Sequence, residues 1–116
     1  MMNWLSHAVI WRGVVYYNVT ISMDNGVAML KPYLEECEAT AFINGVILIE
    51  DSTGQVGEIV SRLEKIVEEC ADIEEVIDAI VHDVTIPTET RCHDNTLIAV
   101  WPGVRILKSD VRIGQR

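Results

Sequence analysis

The chain is poor in cations. Nine Lys and Arg stand against eighteen Asp and Glu, a formal charge of −9. Such a field repels phosphate backbones and anionic lipid headgroups, so neither nucleic-acid binding nor membrane association is expected. Cysteine is scarce as well. Cys37, Cys70 and Cys92 are odd in number and form no CxxC pair, which argues against a disulfide framework or a zinc knuckle. Reduced thiols and a cytoplasmic location are the expectation. No apolar run approaches the roughly 20 residues of a membrane-spanning helix. The opening MMNWLSHAVIWRG has no basic leader and no small-residue cleavage site, so a signal peptide is not expected. Neither GxGxxG nor GxxxxGK[ST] occurs, which removes the common phosphate-cradling loops. Internal repeats and low-complexity stretches are absent too.

What remains is the composition of an ordinary globular domain: 116 residues, 49% hydrophobic and 23% charged. A chain of this length makes one domain, spanning 1–116. Its first part, residues 1–50, reads as strands. WLSHAVIW (4–11) and VVYYNVTIS (14–22) are rich in β-branched and aromatic residues, with Arg12-Gly13 as a tight turn. Asn25-Gly26 accepts the positive φ angles of a two-residue hairpin. VAMLK (27–31) returns from it, and Pro32 ends the strand because proline cannot donate to a ladder. After an acidic loop at Glu35-Glu36-Cys37-Glu38, the run 42–49, FINGVILI, reads as a further strand driving into Glu50-Asp51.

Residues 52–82 carry two consecutive amphipathic helices. Val56, Ile59, Val60, Leu63, Ile66, Val67 and Cys70 fall on one face at helical spacing. Ser52 and Gln55 have capping-box spacing, as do Asp72 and Glu75 ahead of the second stripe, Ile73, Val76, Ile77, Ile80 and Val81. That helix is expected to end near His82-Asp83, and a connection containing Pro87 follows. Strands resume over 96–113: TLIAVW, then a Pro102-Gly103 turn, then VRIL (104–107) and DVRI (110–113). Strands, helices and strands again predict an α+β fold. The terminal strands should close a small β-sandwich or partly open barrel with the helices against one side or end.

Chemistry-bearing residues are few. Cys92-His93-Asp94 holds the parts of a cysteine nucleophile, but adjacent residues on an extended chain point to opposite faces, and working triads are assembled from distant positions. Loop polarity explains the triple as well. His7 could serve as a ligand, or simply be a semi-exposed strand histidine. His82 sits at a helix C-terminus, where the dipole favours a cation. Asp51-Ser52-Thr53-Gly54 precedes a helix start, yet Glu50 and Asp51 would repel an anion there. Trp4, Trp11 and Trp101 could line a pocket or fill a core. No spacing supports three or four convergent metal ligands. The pocket candidates are therefore Cys92, His93, Asp94 and His7, with no catalytic, metal-binding or cofactor residue assigned.

The order of these segments resembles a known family. LSHAVIWRGVVYYNVTISMDNGVAMLKP followed by ATAFINGVILIE resembles the opening of amidohydrolase-superfamily enzymes. RLEKIVEECADIEEVIDAIV resembles the helical segment after their barrel, and DNTLIAVWPGVRILKSDVRIGQR their closing strands. The two ends of such enzymes form a composite β-sandwich, so the resemblance implies that domain here. It also implies what is missing. Glu50-Asp51-Ser52 stands where the family runs into Pro-Gly and a His-x-His metal pair, and Arg91-Cys92-His93-Asp94-Asn95 replaces its Gly-Lys-x-Ala-Asp stretch. No catalytic residue carries over. The chain reads as the sandwich with its barrel deleted and its ends joined through residues 50–55.

Two functions follow as expectations. One is a non-catalytic structural or partner-binding domain without cofactor, in which edge strands favour a homo-oligomer or another protein partner. The alternative is a small-molecule binder or small enzyme with a pocket between helices and sheet.

Overall fold

The structure, a computed structural model, describes residues 2–33, 40–52, 55–88 and 94–114. It is α+β: a nine-stranded mixed sheet with two helices. The strands are β1 (Met2–Leu5), β2 (Ala8–Trp11), β3 (Val14–Tyr16), β4 (Val19–Asp24), β5 (Val27–Pro32), β6 (Thr40–Phe42) and β7 (Val46–Asp51). The helices α1 (Val56–Glu69) and α2 (Ile73–His82) come next, then β8 (Asn95–Val100) and β9 (Val104–Gly114). Strand order is β3-β2-β7-β8-β9-β5-β4-β1-β6.

Seven strands precede the helices where sequence suggested four, because long strands change sheets partway. The hairpin turning at Arg12-Gly13 keeps one register throughout, from Asn3 opposite Ser22 to Trp11 opposite Val14. It breaks only at Ser6-His7 and Tyr17-Asn18, and Asn18 takes φ 58° there. One half of the hairpin therefore lies in each of two sheets. At the other edge β9 does the same as a single strand, where two short ones were expected. Its partners run from Val104 opposite Val100 to Val111 opposite Asn95, with register shifts on either side of Leu97. Each shift places an extra residue on β9 and bends it. Beyond them, β9 pairs with β5.

The result is a sandwich. A helix-side sheet, β3-β2-β7-β8-β9, and an outer sheet, β9-β5-β4-β1-β6, are joined through β9. Alternation along the strands sorts the side chains into two cores. Val9, Trp11, Ile47, Ile49, Leu97 and Ala99 meet Trp4, Ile21 and Ala28 of the outer sheet. On the opposite face Ala8, Ile10, Val46, Leu48, Ile98 and Val100 meet Ile59, Leu63 and Ile66 of α1 and Val76, Ile77 and Ile80 of α2. Covered on both sides, the middle of β7 and β8 is continuously apolar, as Val46–Ile49 and Leu97–Val100 are. Each fully buried aliphatic side chain contributes about 1.5–3 kcal/mol.

The strand expected over 42–49 is interrupted between Phe42 and Val46. Gly45 sits in the gap with φ 92°, and a Cβ there would lie 2.2 Å from the Val100 carbonyl oxygen and 2.3 Å from that of Trp101. Only glycine admits this backbone approach. The hairpin at Asn25-Gly26 forms as expected, with φ 51° and 76°. The capping box at α2 forms too. Glu75 N–H donates to Asp72 Oδ1 at 2.9 Å, while the Glu75 carboxylate accepts from Ala71 N–H at 2.7 Å. At α1 it does not: the N-cap is Gln55, without a side-chain cap. Ser52 directly follows β7 and bonds to the sheet instead. The acidic loop at Glu35–Glu38 lies outside the described residues.

Candidate functional site

β7 has two ends, and they differ in chemistry. At its C-terminal end Glu50 lies opposite Thr96 and Asp51 opposite Asn95. Glu50, Asn95 and Thr96 are buried. Ser52 Oγ lies 2.7 Å from Thr96 Oγ1 and accepts the Asp110 N–H at 3.1 Å, while Ser52 N–H donates to the Asp94 carbonyl at 2.9 Å. These bonds tie β7, β8 and β9 together where the strand leaves the sheet. Burial, with Asp51 beside it, pushes the Glu50 carboxyl up to about 8. A neutral carboxylic acid is the form that tolerates such a position at pH 7.

At the N-terminal end of β7 the groups are exposed. His7 N–H donates to the Gly45 carbonyl at 3.0 Å, and His7 Nε2 lies 2.7 Å from Glu74 Oε1 at the start of α2. Tyr17 meets the His7 ring edge-on, 6.0 Å between centroids. Phe42 is 73% exposed on the terminal strand β6, and Tyr17 and Tyr33 are 49% and 38% exposed. Tyr33 N–H donates to the Asn18 carbonyl, one step beyond the Val19–Pro32 pair. Phe42 pairs with Leu5, which pairs with Thr20. The three exposed aromatics therefore share one end of the outer sheet.

A cleft of about 290 Å³ opens at this end, lined by Asn44, Ala99, Trp101, Pro102, Gly103, Val104 and Arg105. Trp101 holds φ 91°, a region that costs a bulky residue about 1–3 kcal/mol. Its N–H donates to the Gly103 carbonyl at 2.6 Å.

Two further clefts, of about 490 and 340 Å³, flank the loop after α2 and share His82, Asp83 and Val84. Their polar groups are largely engaged. Asp83 accepts from Arg62, from Thr85 N–H at 2.8 Å and from Thr85 Oγ1 at 2.6 Å. Burial opposes the Asp83 charge, but these bonds outweigh it and hold the carboxyl below its usual range. His82 Nδ1 lies 2.9 Å from the Asp78 carbonyl oxygen, a contact within the last turn of α2. Cys70 lines the smaller cleft. Desolvation first, then Glu75, Glu69 and Asp72, raise its thiol, which disfavours the nucleophilic thiolate.

Of the sequence-derived candidates, His7 and Asp94 lie far apart. His7 lies before the first residue of β7 and Asp94 beyond its last, since Ala8 pairs with Val46 and Asn95 with Asp51. The five steps between those rows span about 17 Å of strand. Cys92 and His93 lie outside the described residues. Between helices and sheet, where a pocket was one expectation, the buried core side chains meet. Sequence reading did not assemble the Asn44–Arg105 cleft; its signals were Trp101, which could line a pocket or fill a core and does line this cleft, and Gly45, a glycine inside an apolar run. Among the described residues, no group of three or more His, Cys, Asp or Glu is placed to hold a metal ion, and no helix is long and apolar enough to cross a membrane. No protein-family model, curated protein or solved structure matches the chain.

Proposed function

We propose that the chain is a non-catalytic binding domain that works by associating with protein, first with a second copy of itself, through the β6 end of the outer sheet. The observation that carries this reading is Phe42, 73% exposed on a terminal strand, with Tyr17 and Tyr33 exposed at the same end. A terminal strand offers unpaired backbone groups to another strand. Aromatic side chains are the type enriched in protein interfaces. A cytoplasmic setting is part of the proposal.

Kinship with the amidohydrolase composite sandwich belongs to the same proposal. It is supported by the pairing of β7 with β8 over six residues, from Val46–Val100 to Asp51–Asn95. That pairing joins the first strands to the last directly, as a sandwich closed over a deleted barrel requires. In this reading Glu50, Asp51 and Ser52 close the sheet and take no part in chemistry.

Light scattering across the micromolar range tests the association. A mass that rises toward the dimer with concentration is expected. Phe42→Lys places a charge on an already exposed position and should return the monomer with the fold intact by circular dichroism. A wild-type monomer throughout that range contradicts self-association.

A further inference from the structure

We propose that the cleft between Asn44 and Arg105 is a binding site for a small carboxylate with an apolar, planar body. Among the three clefts described above, it is distinguished by the state of its polar groups. In the two beside α2, Arg62, Asp83, Thr85 and His82 bond to one another or to the helix. In this one, among the described residues, no hydrogen bond or ion pair engages the Arg105 guanidinium or the Asn44 amide, and none of the lining residues is a carboxylate. Arg105 presents a planar fork that matches a carboxylate. Asn44 adds an amide that can donate to an oxygen or accept from one. Ala99, Pro102 and Val104 supply apolar wall for the body of the ligand.

The walls are built close together. Asn44 precedes Gly45, whose backbone is pressed against the Val100 and Trp101 carbonyls. Trp101 packs on the helix-side core while its backbone stays in the left-handed region. Strain of this kind persists only where surrounding structure holds it, and it gathers at ligand-binding places. Charge distribution favours the same end product. Nine of the acidic residues lie from Glu58 to Asp83, in the helical layer and its ends, whereas β9 carries Arg105, Lys108 and Arg112 against Asp110 alone. An anion approaching along β9 therefore meets local positive charge in a protein of net negative charge. A volume of about 290 Å³ suits a ligand the size of one ring with its carboxylate.

Benzoate is the probe, with neutral benzamide as its control, followed by amide and indole resonances in ¹H–¹⁵N spectra at protein concentrations below self-association. Saturable shifts confined to residues 44–45 and 99–105 are expected. Benzamide and the Arg105→Gln variant should each bind about tenfold or more weakly, the scale of one charge-assisted hydrogen bond. Arg105 is exposed, so the variant should keep the wild-type spectrum elsewhere; Asn44→Ala serves as a second variant with a smaller loss. Shifts that never saturate, that spread over the basic surface of β9, or that persist equally in Arg105→Gln overturn the proposal. Association through Phe42 stands or falls separately, because it is read from mass and not from these resonances.

Discussion

The two ends of β7 lie five residues apart and are built on opposite principles. At Val46 the chain is fixed by the lack of a side chain, since Gly45 lets one backbone touch another, and His7, Tyr17 and Phe42 at that end are exposed. At Asp51 it is fixed by polar side chains turned inward, with Glu50, Asn95 and Thr96 buried and Ser52 bonded to β8 and β9. Polarity in the sequence drew attention to the second end, where an apolar run meets acid. In the fold that polarity is used in closing the sheet. The end with exposed aromatics and a strained tryptophan is the one where sequence offered only His7 and Trp101.

The sharpest way to break this contrast is at Gly45. Gly45→Ala sets a Cβ within 2.3 Å of two carbonyl oxygens at a φ of 92°. The loss should exceed about 4 kcal/mol, or abolish folding, in denaturant titration. An effect near that of an ordinary exposed Gly→Ala change, about 1 kcal/mol, would contradict the close approach.

At the other end the test is pH. Glu50 is raised from 4.5 to about 8 in the folded state, so the native protein holds its proton more tightly than the unfolded chain. Its contribution is full below pH 4.5, is lost as pH rises from there to about 8, and changes no further above. Unfolding free energies measured between pH 5 and 9 should fall across that window by an amount on the order of a few kcal/mol. Glu50→Gln should flatten the Glu50 part of the slope. A wild-type profile indistinguishable from that of the variant would place the carboxyl in water.

Smaller effects follow. Ser52→Ala removes the hydroxyl shared by Thr96 and Asp110 N–H and should cost about 1–2 kcal/mol. A loss under about 0.3 kcal/mol would assign those bonds to water. His7→Ala should cost least, within about 0.5 kcal/mol, because the Glu74 pair is exposed at 42% and 63% of its side chains.

Local signals carried much of the fold. Asn25-Gly26, the stripes of α1 and α2, and Asp72 with Glu75 act over a few residues, and each formed where sequence placed it. What escaped was set by distant partners. Ser6-His7 and Tyr17-Asn18 look like strand, yet they are where one hairpin passes between sheets. The shifts on β9 depend on β8, eleven residues earlier where Leu97 lies opposite Lys108. Ser52 had a helix to cap and bonded to Thr96 instead, 44 positions away. The Asn44–Arg105 cleft joins residues from either side of both helices, so no stretch of sequence displays it.

Hydrogen exchange followed by mass spectrometry at low and high protein concentration tests the central claim, that β7 closes the sheet while the opposite end meets partners. Amides of β7 and β8 should exchange slowest at every concentration, opening only with global unfolding. Those of β6 should gain protection as concentration rises. Protection that instead changes with concentration at residues 50–52 and 94–96, with β6 unaffected, would contradict the account and return function to the acidic end of the strand.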